Sequence, residues 1–281
     1  MSAPPERIER PGARATLHRD APRWGAARTM AVGRFSCADA GAGVALLNEI
    51  AALARAEGAE ALIGPMDGDT WHAYRLVSES DGRAPFLMEP ASKPHDLAAF
   101  EAAGFEAVAH YFSAAVLLGE APVEGAPAPD GLAVEAWDGA SPEALFAQVH
   151  ALSCEAFAAN PFYRPIALED FLAMYMPMVP MMRPELVLFA RQEGRLAGFL
   201  FGIPNYAEGP RPRAAILKTY ASLARGAGRV LSARFHASAA EAGFGEAIHA
   251  LLHEDNLSAS RSRREGAGVF RRYALMGRRL G

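Results

Sequence analysis

Cysteine and lysine are both scarce in this chain of 281 residues. The two cysteines, Cys37 and Cys154, are far apart in the sequence, so we expect neither a disulfide framework nor a cysteine metal cluster. The only lysines are Lys93 and Lys218, which leaves arginine to carry almost all of the positive charge. We interpret the preference for arginine as a bias of composition that indicates no function by itself.

A basic excess and a long apolar run are missing as well. The formal net charge is −4, whereas neutralising a nucleic-acid backbone usually requires a basic excess or a basic face. No stretch reaches the roughly 18 apolar residues of a membrane span. Segment 1–20 carries prolines and charges where a secretory signal would need apolar residues. These absences argue against nucleic acid and membrane as partners and favour a cytoplasmic location.

The residues that are present indicate a globular protein with two units. Hydrophobic residues make up 51% of the chain and charged residues 21%, which is typical of folded domains. We expect an irregular arm at 1–26, a first domain at 27–118, a linker rich in proline, glycine and alanine at 119–131, and a second domain at 132–281. No metal is expected.

Hydrophobic periodicity predicts alternating strands and helices in both units. In the first unit the predicted strands are 29–35, 60–66, 85–90 and 105–118, and the predicted helices are 44–56 and 95–104. In the second unit the predicted order is a strand, two helices, a hairpin, a strand, a glycine-rich turn, a helix, a strand, a short helix and a last strand. This alternation predicts an α/β or α+β mixed sheet flanked by helices.

The stretch LARGAGRVL, Leu223–Leu231, has the composition of an anion-binding turn. Gly226 and Gly228 would let a ligand approach the backbone closely, and the helix that follows would present unpaired N–H groups at its positive end. Arg225 and Arg229 add positive charge. A plain strand-to-helix turn also uses glycines in this way, so the residues alone leave a phosphate cradle and a simple turn equally supported.

The order of elements over 131–277, together with this turn, resembles the GNAT acyltransferase superfamily. Residues Arg225, Gly226, Ala227, Gly228, Arg229 and Val230 match the R/Q-x-x-G-x-G/A loop of that family, except that Val230 departs at the last position. The resemblance implies a fold of the acyl-CoA N-acyltransferase type. It also implies acetyl-CoA or another acyl-CoA as co-substrate, with the loop on the pyrophosphate.

The same resemblance implies further cofactor contacts and an amine acceptor. Asn256 and Ala259 match the later Asn-x-x-Ala segment, which places Asn256 beside the thiol end of the cofactor. A strand N–H near Leu223 would polarise the thioester. Phe162 and Tyr163 lie between the two helices that roof the acceptor site in the family, so they are expected to line it. The acceptor would be a small-molecule or peptide amine.

The proton donor departs from the family pattern. The usual tyrosine, four residues after Ala259, is replaced by Arg263. Tyr273 on the last predicted strand is the candidate acid and Glu254 the candidate base, whereas packing and capping are the structural alternatives for the two residues. This departure keeps a second function open, namely a non-catalytic acyl-CoA-binding or scaffold protein.

Two other features of the sequence remain open. The first unit resembles a degenerate GNAT half that lacks the arginine-containing loop, so the chain resembles tandem members and the first half is expected not to hold coenzyme A. The arginine-rich segment 261–279 would either meet a phosphate or form a solvated face. The oligomeric state is undetermined by the sequence, with a homodimer as one option.

Overall fold

The computed structural model describes residues 4–119 and 128–281, so most of the predicted linker 119–131 lies outside the described residues. Within them there are twelve strands and six α-helices. The strands are β1 (Glu6–Arg10), β2 (Ala13–His18), β3 (Thr29–Cys37), β4 (Ala61–Gly64), β5 (Leu76–Ser80), β6 (Glu106–Leu117), β7 (Leu132–Ala136), β8 (Val187–Gln192), β9 (Arg195–Pro204), β10 (Ala214–Ser222), β11 (Glu246–His253) and β12 (Gly268–Arg279). The helices are α1 (Ala40–Ala56), α2 (Pro94–Ala102), α3 (Pro142–Ala156), α4 (Leu168–Tyr175), α5 (Ala227–Glu241) and α6 (Leu257–Arg264).

All twelve strands belong to one mixed sheet. Its order is β1-β2-β3-β4-β12-β6-β11-β10-β9-β8-β7, and β5 pairs with β12 beyond the end of β4. Only β3–β4 and β10–β11 are parallel neighbours. The predicted mixed sheet flanked by helices is therefore confirmed.

The two halves of the chain exchange their last strands. β6 belongs to the first half but pairs with β11 of the second, while β12 belongs to the second half but pairs with β4 and β5 of the first. β6 and β12 also pair with each other along most of their length. The two predicted units therefore share a single sheet, and neither completes its part of the sheet without the other's last strand.

Side chains alternate between the two faces of the sheet, as the period of a strand requires. On β9, Phe199 and Phe201 lie in a cluster with Phe146 of α3. Leu200, between them, lies in a cluster with Phe235 of α5. α3 and α4 therefore cover the face of the sheet opposite to α5.

The elements predicted for 132–281 are confirmed to within a few residues, but two predictions for the first half were wrong. The arm 1–26 contains β1 and β2, because its prolines flank the strands and leave the buried alternation of Ala13, Ala15 and Leu17 intact. Residues 85–90 form no strand, and only Phe86 of that segment is buried. No helix among the described residues is long and apolar enough to cross a membrane.

The position of β12 predicts that the two halves unfold together. Leu275 is fully buried on β12 between strands of the first half, so Leu275→Ala should lower the free energy of unfolding by about 2–5 kcal/mol. The loss should appear as one shifted transition in urea, followed both by tryptophan fluorescence and by far-UV circular dichroism. Val269→Ala, on the same strand but 41% exposed, is the matched control and should have little effect. Two separate transitions in either variant would contradict this account.

Candidate functional site

The parallel pair β10–β11 separates part of the way along its length. The pairing joins Ala214–Leu217 to Glu246–His249 and then stops. A register shift at Lys218 marks this point on β10, which continues beside β9 to Ser222. β11 continues beside β6 to His253. The two strands therefore diverge and leave a wedge between them.

A cavity of about 580 Å³ lies in this wedge. Both halves of the chain contribute to its wall. The contributing residues are 70–75, 88–91 and Tyr111 from the first half, and Phe157, Asn160, Pro161, Tyr163, Met174, Tyr175, Met178, 217–220, 250–253, Asn256 and Ser258 from the second half. Its volume is in the range of small-molecule sites.

The loop after β10 leads from the wedge into α5. Gly226 has φ +83°, in the left-handed region that favours glycine, and α5 begins at the next residue. The N–H groups of Arg225, Gly226 and Gly228 donate no hydrogen bond to any atom of residues 4–119 and 128–281. The loop therefore presents unpaired donors at the positive end of α5.

Arg261 of α6 lies over this loop. A Cβ placed on Gly228 would be 3.0 Å from Nη1 of Arg261, so the guanidinium group covers the glycine. The same Nη1 donates a hydrogen bond of 2.6 Å to the hydroxyl of Tyr220. Unpaired backbone N–H groups and a guanidinium group thus lie close together at the start of α5, a combination that suits a phosphate.

The predicted loop residues differ in burial. Ala227 and Gly228 are buried at the start of α5, Val230 is half-buried, and Arg225 and Arg229 are exposed on the surface.

The predicted role of Leu223 requires a correction. Its N–H donates to the carbonyl of Ala197 at 2.9 Å, so it is not available to polarise a thioester. Its side chain is 45% exposed. The strand edge that lacks a neighbour lies closer to the register shift, at Lys218–Ser222.

Asn256 and Tyr163 line the cavity, but Phe162 does not. Asn256 is the residue before α6, and its side chain makes no capping hydrogen bond. The Tyr163 hydroxyl is buried without a hydrogen-bond partner among the described residues. Phe162 packs instead on the cluster that contains Ile63 and Leu275. The structure therefore brings one of the two predicted acceptor-site aromatics to the cavity.

Tyr273 lies beneath the cavity wall rather than in it. Its side chain is fully buried, its hydroxyl donates to Glu89, and the Ser113 hydroxyl is 3.0 Å away. Burial, with the Glu89 hydrogen bond second, raises the pKa of Tyr273. Because Glu89 lies between this hydroxyl and the cavity, the geometry makes Tyr273 a residue that positions Glu89, and its role as an acid remains a prediction.

Glu254 does not line the cavity either. Nη1 of Arg272 donates to its carboxylate at 2.5 Å, at the end of β11. Arg271, the residue before Arg272 on β12, is buried and pairs with Glu89. The arginines of segment 261–279 therefore contact several different partners. The Glu254 side chain is held in an ion pair and makes no capping hydrogen bond to a helix N–H among the described residues, and its role as base stays a prediction.

The sequence did not indicate that two cationic side chains, Arg75 and Lys218, would line the cavity. Arg75 follows the loop after β4, and Lys218 sits at the register shift of β10. Burial, with nearby Arg75 second, lowers the pKa of Lys218 to about 8. The only sequence signal was the scarcity of lysine, which indicated nothing about position.

A second polar cluster lies between α5, β11 and α6. Nε2 of His236 and Nε2 of His249 are 2.8 Å apart, and Nδ1 of His249 is 2.8 Å from the Ser262 hydroxyl. Burial lowers the pKa of His236 to about 4 and that of His249 to about 3. Together with Glu265 these histidines have ligand atoms within 4.8 Å of one another, a spacing that a metal ion could use. The two rings are 12° from parallel with centroids 5.0 Å apart, which fits a direct N–H to N hydrogen bond between neutral histidines.

Comparisons with known proteins bear on the fold. No family model matches the chain, and no curated protein matches it. Its structure is similar to a GCN5-related N-acetyltransferase from Sphaerobacter thermophilus, with a TM-score of 0.60 and 17% identity over 96% of this chain and 77% of that one. It is also similar to a tandem GNAT protein from the clavulanic acid biosynthesis pathway, with a TM-score of 0.57 and 18% identity over 96% and 79%.

A GCN5-related N-acetyltransferase from Anabaena variabilis ATCC 29413 has a TM-score of 0.54 and 9% identity over 96% of this chain and 60% of that one. Identities this low leave activity and substrate open, but the likeness spans almost the whole chain. The chain therefore has the fold of the GCN5-related N-acetyltransferases, as the resemblance of its loop and element order implied.

Proposed function

We propose that this protein transfers an acyl group from an acyl-coenzyme A, most simply acetyl-CoA, to an amine of a small molecule or peptide. The observation that carries the proposal is that the cavity and the loop at the start of α5 lie at the two ends of the unpaired edge of β10. An elongated ligand with a reactive group at one end and phosphates at the other fits this arrangement.

The phosphate end would bind at the loop. Unpaired N–H groups of Arg225, Gly226 and Gly228 would contact the pyrophosphate, and Arg261 would pair with it across the loop. Exposed Arg225 and Arg229 would meet the remaining phosphate.

The thioester end would reach the register shift of β10. The edge Lys218–Ser222 has no strand neighbour on the β11 side, so its backbone would bind the pantetheine arm and polarise the thioester carbonyl. Asn256 would lie near the thiol.

Tyr220 is the proton donor that we propose in place of the missing family tyrosine. Its side chain lines the cavity, and its oxygen already accepts a hydrogen bond from Arg261, which leaves its own proton free for another acceptor. Burial raises the pKa of Tyr220 although Arg261 opposes the shift, so the phenol stays protonated at neutral pH. After the amine attacks the thioester carbonyl and the C–S bond breaks, this proton would go to the leaving thiolate, and the proton that the amine nitrogen loses would return through solvent to the Tyr220 oxygen.

The first half of the chain would support the site without holding a cofactor. At the start of α1, the carboxylate of Asp39 accepts the N–H of Ala42 at 2.9 Å. A negative side chain therefore occupies the position that a phosphate would need. The first half is proposed to be a GNAT-like repeat that now supplies part of the cavity wall.

A non-catalytic acyl-CoA-binding protein is the second candidate. The observation that favours it is Arg263, which stands where the family has its acid and lies exposed against Phe112. Such a protein would bind acetyl-CoA and release no thiol with any amine.

The loop hypothesis predicts that Gly228→Asp weakens acetyl-CoA binding. Gly228 is in the first turn of α5, where an acidic residue is favourable, so the variant should fold. Its carboxylate would pair with Arg261 and occupy the phosphate position, which should raise the Kd for acetyl-CoA at least roughly tenfold in calorimetric titration. Gly245→Asp carries the same change at an exposed glycine and should bind like the unaltered protein. Equal affinity in both variants would make the loop a plain turn.

The acid hypothesis predicts a separate effect of Tyr220→Phe. The variant should lower kcat about 100-fold, because the thiolate loses its proton donor, while the Kd for acetyl-CoA changes little. Thiol release is measured with a panel of amino acids and simple primary amines, and Tyr206→Phe at an exposed position is the control. Unchanged kcat in Tyr220→Phe would reject this assignment. Binding without thiol release by the unaltered protein would favour the second candidate.

A further inference from the structure

Arg75 is a buried cation with an N–H group that has no hydrogen-bond acceptor among the described residues. The residue is only 7% exposed and lines the cavity. Its Nη1 donates to the carbonyl of Leu251 at 3.0 Å, but Nε is buried with no hydrogen-bond partner among the described residues. An unpaired donor on a buried charge is costly, which makes it a candidate ligand contact.

The surroundings hold Arg75 in place. Its guanidinium carbon lies 3.7 Å from the ring centroid of Tyr74 and 4.1 Å from that of Tyr111, so the group is held between two aromatic faces. Its backbone has φ +69°, which is rare for a residue with a side chain. A strained backbone and two stacking rings fix the direction of the guanidinium group.

Lys218 is a second cation of the same wall. It makes no hydrogen bond or ion pair with any of residues 4–119 and 128–281, and it is close enough to Arg75 for each charge to disfavour the other. Two like charges at one cavity, neither with a carboxylate partner, leave a local excess of positive charge.

The carboxylate at this cavity is already engaged. Among the described residues of the wall, Glu89 is the acidic one, and its oxygens accept hydrogen bonds from Tyr273, from Arg271 and from the N–H of Phe86. His72 of the wall is paired with Asp69. Burial and Arg75 lower the pKa of Lys218 more than nearby Glu89 raises it. Neither Arg75 nor Lys218 has an ion pair with a carboxylate among the described residues, so positive charge remains available to a ligand.

We infer that the acceptor amine carries a carboxylate, as an amino acid does, and that Arg75 and Lys218 bind this carboxylate in the cavity. The inference rests on the proposed acyl transfer and names the substrate class of the same site. The phosphates of coenzyme A do not meet this requirement, because their proposed site is the loop at the other end of β10. Aromatic and aliphatic groups such as Trp71, Tyr163 and Met178 would enclose the rest of a small acceptor.

The test compares amines that differ only in the carboxylate. Glycine, L-leucine and L-phenylalanine are each measured against their C-terminal amides, both as acceptors in thiol release and as ligands in calorimetry with coenzyme A present. The amine of an amino-acid amide is the more easily deprotonated of the two, so simple reactivity would favour the amides. The inference expects at least one acid to bind and react roughly tenfold better than its amide.

Arg75→Gln and Lys218→Met should each raise the KM and Kd for the preferred acid roughly tenfold and leave those for its amide unchanged. Because Arg75 lies outside the proposed cofactor site, Arg75→Gln should also leave acetyl-CoA binding unchanged. Lys218→Met keeps the length of the side chain, and it tests the inference even if Arg75→Gln fails to fold. Glu208→Gln, an exposed acid outside the cavity, is the control.

The outcomes separate the two proposals. If amides react as well as acids, or if none of the acids binds in calorimetry, the carboxylate site is rejected while acyl transfer stands. If the acids bind in an Arg75-dependent way but no amine is acylated, the carboxylate site is supported and acyl transfer is rejected. A variant that weakens acid and amide equally would show a packing role only.

Discussion

The antiparallel pairing of β6 with β12 fixes the centre of the sheet, and the wedge at the candidate site depends on it. β6 is held by β12 along one edge, so β11 has to follow β6 along the other. β10 is held instead by β9. Because the two strands follow different neighbours after the register shift at Lys218, they separate and leave the backbone edge of β10 unpaired. An unpaired edge inside a protein is costly, and a ligand that binds along it would offset the cost.

The charges of the site are divided between the two ends of this edge. At the loop, half-buried Arg261 and unpaired backbone N–H groups suit the multiply charged phosphate end of a cofactor. At the cavity, Arg75 and Lys218 are enclosed, where each charge acts in a lower dielectric and discriminates more sharply among small ligands. Glu89 of the cavity wall opposes this positive field, but its carboxylate oxygens are already hydrogen-bonded by Arg271 and Tyr273.

Local sequence patterns were sufficient to predict part of the structure. Gly226 and Gly228 predicted the loop at the start of α5, and the two apolar runs of β8 and β9 predicted the hairpin. Both features depend on residues that are close together in the sequence. The exchange of β6 and β12 depends on pairing between residues far apart in the chain. Hydrophobic periodicity gives no information about such long-range pairing. Arg75 was missed for a related reason, since its position follows from the loop after β4 and from the rings that hold it. Leu223 was misjudged because the partner of one N–H depends on the register of β9.

The place of β12 in the chain has a consequence for how the protein acquires its structure. Residues 268–279 are synthesised after the other eleven described strands, yet they form the middle of the sheet. Until they arrive, β4 and β6 each have an open hydrogen-bonding edge, and the contacts that close these edges span most of the sequence. Strand pairing between residues so far apart in the sequence forms slowly, and until it forms the apolar strand edges are exposed to other chains. During synthesis, the nascent first half would be the species that most needs protection from aggregation.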